Sequence, residues 1–385
     1  MTRIAWLVLA PLAVATLAGL VLLWPPPVAV PDGRSAAPEY DGVVLAVAEE
    51  GCPEGPGDAE GPTPSPDGPP TETCGSVTVR VDLPEGEREV EAPLSSRPGA
   101  PDLEVGDDVV VAVADSPDGP LYGVVDHQRG LQLWGVVAAL GLALVAFGRW
   151  RGRSALVGLG ITFAVRFLFI VPSVIAGSSP VLVALVGASA VTLTVLYLTH
   201  GLSVPTTVAV LGTMASLGVT ALLSEVAVGA LHLTGVTDDV SSAVTSTYGI
   251  DMRGLLVASI IIGSVGVLDD VTVTQSATVT ELGRANPAYG VRELYGAAER
   301  VGRSHIASVV NTIVLAYAGS SLPLIVLVVA SNGSFTGAAT TQLIAQEIVR
   351  SAVATIGLIA AVPLTSVLAA WATTHSAATG EARHA

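Results

Sequence analysis

Lysine is missing altogether, since all 17 basic residues of this 385-residue chain are arginine. Neither a Walker-type phosphate loop with its lysine nor Schiff-base chemistry can be built from such a chain. Cysteine occurs only at Cys52 and Cys74, and the six histidines fall at no metal-ligand spacing and in no HExxH. No metal centre is expected, and with no dinucleotide or haem motif no cofactor either. Charge is sparse at 13% of residues and aromatics sparser at 4%, whereas apolar residues reach 51%. That balance is too apolar for an ordinary soluble chain of this length, so most of it is expected to face a lipid bilayer.

What charge there is collects in one place. Residues 25–130 hold 22 of the 33 acidic and 5 of the 17 basic residues, a net −17, while the rest of the chain sums to +1. Nucleic acid is excluded as a partner, because phosphate binding needs clustered cations. Abundant Gly, Pro, Ala and Arg without Lys is the codon signature of a GC-rich bacterial genome.

The first apolar run, Ile4 to Leu23, follows Arg3 and ends at Trp24 and three prolines. Its length suffices for about 30 Å of hydrocarbon, and it lacks a clear cleavage site, so residues 1–24 read as an uncleaved anchor. From Leu131 onward further spans are expected at about 131–148, 155–176, 180–199, 205–231, 254–277, 305–330 and 350–371. The expected fold is thus a polytopic α-helical membrane protein of about eight transmembrane helices, with a small all-β domain inserted after the first. Arg149, Arg151 and Arg153 follow one span, and Arg284, Arg292, Arg300 and Arg303 crowd the loop after another. Both groups fall on the side of Arg3, which the positive-inside rule makes cytoplasmic. Residues 25–130 are then extracytoplasmic, both termini are cytoplasmic, and the location is a bacterial cell membrane.

Within the acidic segment, Gly42–Ala48, Ser76–Leu83, Arg88–Ala92, Val109–Ala114 and Leu121–Asp126 are short β-type runs broken by turn residues and predict a five-stranded barrel or sandwich. Hairpin reversals are expected at Leu83-Pro84-Glu85-Gly86 and Val105-Gly106-Asp107-Asp108. Residues 53–70, rich in Pro, Gly and acid, read as a disordered loop. Outside the cytoplasm, Cys52 and Cys74 are expected to form a disulfide around that loop, worth roughly 3 kcal/mol by chain entropy. The remaining stretch, 131–385, reads as a seven-helix membrane domain.

Three blocks in the second half occur in a telling order: Ile250-Asp251-Met252-Arg253-Gly254-Leu255 with Gly263, Gly266, Asp270-Val271 and Glu281-Leu282; Ala285-Asn286-Pro287, Glu293-Leu294 and Gly302-Arg303 leading to Asn311-Thr312, Leu315-Ala316-Tyr317, Gly319 and Leu322-Pro323; and Glu347-Ile348-Val349-Arg350 with Gly357-Leu358 and Pro363-Leu364-Thr365. As a set they make the chain, from about Leu198 to its end, resemble the YibE/F-like family of bacterial multi-pass membrane proteins. Where members of that family often carry Met before the aspartate–valine pair, this chain has Asp269. The resemblance implies a multi-pass membrane protein and brings no substrate with it.

Several residues are candidates for transport or coupling. Asp270 lies within the expected sixth span, with Gly263, Gly266, Thr274, Thr278 and Glu281 at helical spacing along one polar stripe. A carboxylate in hydrocarbon costs several kcal/mol, so it must face a cavity or a partner, or take up a proton. Adjacent Asp269 doubles the charge, and the two repel. Either the pair forms an ion or proton site, or the span ends early and both lie at the interface. Arg166, near the middle of the third span and flanked by Phe163 and Phe167, needs Asp269 or Asp270 as a partner unless it snorkels to the surface. Asn311 and Tyr317 can bind neighbouring helices or line a path, and Pro323 is expected to bend the helix. Glu347 and Arg350, three apart, can pair across one turn.

Enzymatic readings are weak. Gly187-Ala188-Ser189-Ala190, with His200, His232 or His305 as base, is a tetrapeptide expected by chance in an Ala/Gly-rich helix, and an aspartyl membrane protease needs a glycine directly before its aspartate. The expectation is a non-enzymatic secondary transporter or permease for a small solute or ion, open to proton coupling and to assembly as a homo-oligomer. The alternative is a non-transporting envelope scaffold or sensor that binds a partner through its extracytoplasmic domain.

Overall fold

Alternating valines set the sheet and continuous apolar runs set the helices. The computed structural model describes residues 3–26, 37–51, 73–94, 99–117, 119–330, 337 and 339–381, which divide into two compact units, Ala29–Ala143 and Met1–Val28 with Leu144–Ala385.

The strand unit comprises β1 (Glu39–Gly51), β2 (Thr73–Leu83), β3 (Gly86–Pro93), β4 (Asp108–Ala114) and β5 (Leu121–His127), all antiparallel in the order β3-β2-β1-β4-β5. Val77, Val79 and Val81 of β2 point inward with Val44, Val109 and Val111, while Arg80 and Asp82, at alternate positions of β2, face out. That period of two puts one face in a valine core and leaves the other to water. An extra residue on β1, Leu45 between Val44 and Ala46, and one on β5, Val125 opposite Val110/Val111, bend those strands, and edge strand β3 packs against edge strand β5, so the sheet curls toward a barrel.

Pro84-Glu85 turns β2 into β3, with Gly86 taking the positive φ of +118° that the hairpin needs. The second expected hairpin is different. Val105-Gly106 turns the chain into β4, but β4 pairs with β1 and β5 rather than with its predecessor. The expected Cys52–Cys74 bridge and loop 53–70 lie outside the described residues, and no disulfide occurs among those described.

The helices are α1 (Arg3–Leu22), α2 (Gly130–Val165), α3 (Val171–Ile175), α4 (Pro180–His200), α5 (Val204–Ala230), α6 (Asp239–Tyr248), α7 (Met252–Ala285), α8 (Val291–Ser320), α9 (Leu322–Ala330) and α10 (Gln342–Glu381). Among the described residues, five stretches are long and apolar enough to cross a membrane: Gly130–Ile175, Pro180–His200, Val204–Ala230, Met252–Ala285 and Gln342–His375; Leu7–Leu22 is a shorter apolar helix. Gly130–Ile175, at 46 residues, is more than twice the length one crossing needs. It is broken at Arg149, whose φ of 51° and ψ of −118° leave the helical region, where the sequence separates spans 131–148 and 155–176. The expected span 305–330 is also divided: α8 ends at Ser320 and α9 begins at Leu322, with Pro323 in its first turn, where its missing N–H costs nothing.

In the helical unit α5, α7 and α10 pack on one another, with α4 against α5 and α7, and α8 against α10 and α7. Small residues permit the closeness. A Cβ added at Gly357 of α10 would fall on the Thr220 hydroxyl of α5, and one at Gly212 of α5 on the Thr365 hydroxyl of α10. Membrane helices associate through such backbone approach, since lipid offers no hydrophobic incentive between them.

Candidate functional site

Arg166 owes its position to a proline six residues on. Pro172 has no N–H for the Leu168 carbonyl, and the helix widens into a π-helical turn at Arg166–Ile170, with the Val171 N–H reaching back five residues to the Arg166 carbonyl. Single π turns inside α-helices occur frequently at functional sites. Gly187 on α4 lets this segment lie close, because a Cβ there would meet Ile170 Cδ1 at 2.7 Å.

Between this turn, α4 and α7 lies a cavity of about 320 Å³, and Arg166, Asp269 and Asp270 all line it. Asp269 is half-buried and accepts a hydrogen bond from the Thr192 hydroxyl at 3.3 Å; Asp270 is exposed. Thr162, Thr199 and His200 supply further polar groups, and valines and isoleucines form the remaining wall. No ion pair within 4.0 Å joins Arg166 to either carboxylate, so the direct pair expected from the sequence is absent among the described residues. The three charged groups border one space and leave it open.

The stripe on α7 divides. Gly266 and Asp270 line the cavity, Gly263 lies beneath the Tyr317 hydroxyl, 3.3 Å from where its Cβ would be, and Glu281 pairs with Arg284 at 2.6 Å on the exposed end of the helix. Another polar face of α7 is turned inward. Thr272 bonds Thr213 at 2.7 Å, Ser276 donates to the Pro205 carbonyl at 2.8 Å, and Gln275 donates to the Ala298 carbonyl at 3.0 Å and to the Ser366 hydroxyl at 2.7 Å. These bonds hold α7 to α5, α8 and α10.

The remaining candidates form a second locus. Glu347 pairs with Arg350 at 3.0 Å and accepts from the Ser321 hydroxyl at 3.4 Å, at the break between α8 and α9. Tyr317 and Glu347 line one groove of about 540 Å³, largely apolar, and Arg350 Nε is buried without a hydrogen-bond partner. Asn311 is exposed on α8 and lines neither space, and Pro323 marks the start of α9. No group of three or more His, Cys, Asp or Glu is arranged to hold a metal among the described residues.

Sequence pattern does not single out Thr162 and Thr199 for the cavity, Thr192 for the Asp269 carboxylate, or Gln275 for the helix core. Thr192 and Thr199 stand seven apart on one face of α4, a signal diluted by the abundance of Thr and Ser in these helices. A family model described as YibE/F-like protein matches residues 136–375, which takes in every residue of the cavity and leaves out the strands. No curated protein and no solved structure matches the chain.

Proposed function

The chain belongs to the YibE/F-like family, and from that premise we propose that it is a secondary transporter or permease for a small solute or ion, with Asp269, Asp270 and Arg166 at the site where the solute binds. Its long apolar helices make it an integral membrane protein. The observation that carries the reading is the open cavity bordered by both signs of charge inside the helical unit. Charged groups at membrane depth are costly and persist where they serve a pathway, a proton relay or a counter-ion. A carboxylate that holds a proton at one stage and a cation at another can couple the two flows, which favours proton coupling. Tyr317, Glu347 and Arg350, at the break between α8 and α9, are suited to a hinge or gate.

The proposed topology has eight crossings, with α2 and its continuation counted as two and α8 with α9 as one. Residues 25–130 lie outside a bacterial cell membrane and both termini inside, following the arginine-rich segments. No catalytic role is assigned.

Purified protein in proteoliposomes tests this, guided by the solute and metal-ion content of cells with and without the chain. Asp269→Asn is expected to lower flux by at least about tenfold, a loss of about 1.4 kcal/mol in transition-state stabilisation. Flux unchanged in Asp269→Asn, Asp270→Asn and Arg166→Gln would remove the site. A second reading, a scaffold or sensor, is favoured by the outward row of Glu87, Glu89 and Glu91 on β3. Deleting residues 38–127 separates the two: a scaffold loses its whole phenotype, whereas a permease retains residual flux.

A further inference from the structure

Arg166 borders the same cavity as Asp269 and Asp270 without pairing with either. Opposite charges in so apolar a setting attract strongly, so an arrangement that keeps them apart leaves each free for a ligand. A lone cation in this space would face Arg166, and a lone anion would face two carboxylates. An uncharged solute would leave half-buried Asp269 without a counter-charge and the exposed Arg166 and Asp270 unmatched. A molecule that carries both charges at its own ends answers the whole set.

The size of the space narrows the class. At roughly 30 Å³ per water, about 320 Å³ holds about ten waters, and thus a solute of about that many non-hydrogen atoms. Val191, Val195, Ile262 and Val265 make much of the wall, which suits a short branched hydrocarbon chain. Arginine's planar fork matches a carboxylate in bidentate fashion, and the adjacent carboxylates match an ammonium.

We infer that the solute is a small zwitterion of the α-amino-acid kind with a branched apolar side chain, its carboxylate held by Arg166 and its ammonium by Asp269 and Asp270. The inference rests on the permease reading above.

Three probes test it on the full-length protein in lipid nanodiscs by calorimetry: L-leucine, 3-methylbutylamine, which lacks the carboxylate, and 4-methylpentanoate, which lacks the amine. Leucine is expected to bind at least about tenfold more tightly than either singly charged relative. Arg166→Gln should bring leucine down to the level of the amine, and Asp269→Asn to that of the acid. If a variant fails to fold, the ranking of the three probes on the unmodified protein still decides. The amine or the acid binding as tightly as leucine overturns the inference. So does no binding of any probe by protein that moves another solute in proteoliposomes, and the permease reading then stands. Leucine that binds with the expected ranking but shows no counterflow upholds the zwitterion site and sinks the permease.

Discussion

Across β2 and β3, Arg80 and Glu89 stand opposite each other at 3.8 Å with 47% and 64% of their side chains exposed, whereas Arg166 and Asp269 share a cavity among helices without touching. In the strand unit, charge is plentiful and solvated, and each such pair contributes on the order of 0–1 kcal/mol. Stability there comes from the valines beneath. In the helical unit charge is rare, and the close fit of small residues does the holding. Charges in the first region can be altered singly at little cost, while Arg166, Asp269 and Asp270 in the second border the open site and Glu347 and Arg350 are tied to each other.

The largest effect is expected where that fit is tightest. Gly357→Val places branched carbons on the buried Thr220 hydroxyl, and α5 and α10 cannot separate without opening the centre of the helical unit. Overpacking costs about 1–3 kcal/mol and sometimes more, so the variant is expected to leave the membrane as aggregate on size-exclusion chromatography. Gly123→Ala in β5, where an added Cβ meets nothing within 4 Å, is the matching control and should behave as the parent. Equal behaviour of the two would break the contrast between the regions. Gly357→Ala combined with Thr220→Ala should restore most of what Gly357→Ala alone loses.

Next in size is the valine core. Val79 has no exposed surface, and Val79→Ala should remove about 2 kcal/mol by loss of burial and the cavity left behind. The check is the midpoint of strand-unit unfolding in urea, followed by hydrogen exchange of β2 amides. Gln275→Leu comes third. It deletes donations to the Ala298 carbonyl and the Ser366 hydroxyl in an apolar interior, for a loss of about 1–2 kcal/mol, read as a lower melting temperature in detergent with the strand unit unaffected.

How much of this was legible beforehand follows the same division. Period-two alternation marks β2 and β3, because a sheet with one wet face writes its pattern into the sequence at every second residue, whereas β1, β4 and β5 show only as short β-type runs between turn residues. The order β3-β2-β1-β4-β5 was not legible, since nothing local tells β4 to pass its predecessor and pair with β1. Among the helices, hydropathy located the apolar runs and the family blocks located Asp270, but the two aspartates are neighbours in sequence and differ in depth. Asp269 turns toward Thr192 and Asp270 toward the open side because of how α7 is rotated against α4, a tertiary choice. Pro172 was the readable sign of the π turn under Arg166, and it acts at a distance of six residues.

The smallest effect concerns an exposed pair, and its pH dependence tests whether the charges of the strand unit are as replaceable as their exposure implies. Asp126 accepts from Arg129 at 2.6 Å and from the His127 N–H at 2.8 Å. The Arg129 hydrogen bond first, and the His127 amide second, hold its carboxyl below the ordinary 3.8. A carboxyl whose folded value lies below its unfolded value contributes stability that is fully present above the unfolded value and is lost as the pH falls through the folded one. Asp126→Asn removes that contribution at every pH. The urea midpoints of the parent and the variant should therefore differ slightly at about pH 6 and draw together as the pH falls below about 4. A difference that stays constant with pH would assign the effect to side-chain packing, and one that widens in acid would reverse the sign of the linkage. A difference at about pH 6 as large as that of Val79→Ala would mean that the outward charges of this unit carry its stability, and the contrast with the helices would have to be drawn elsewhere.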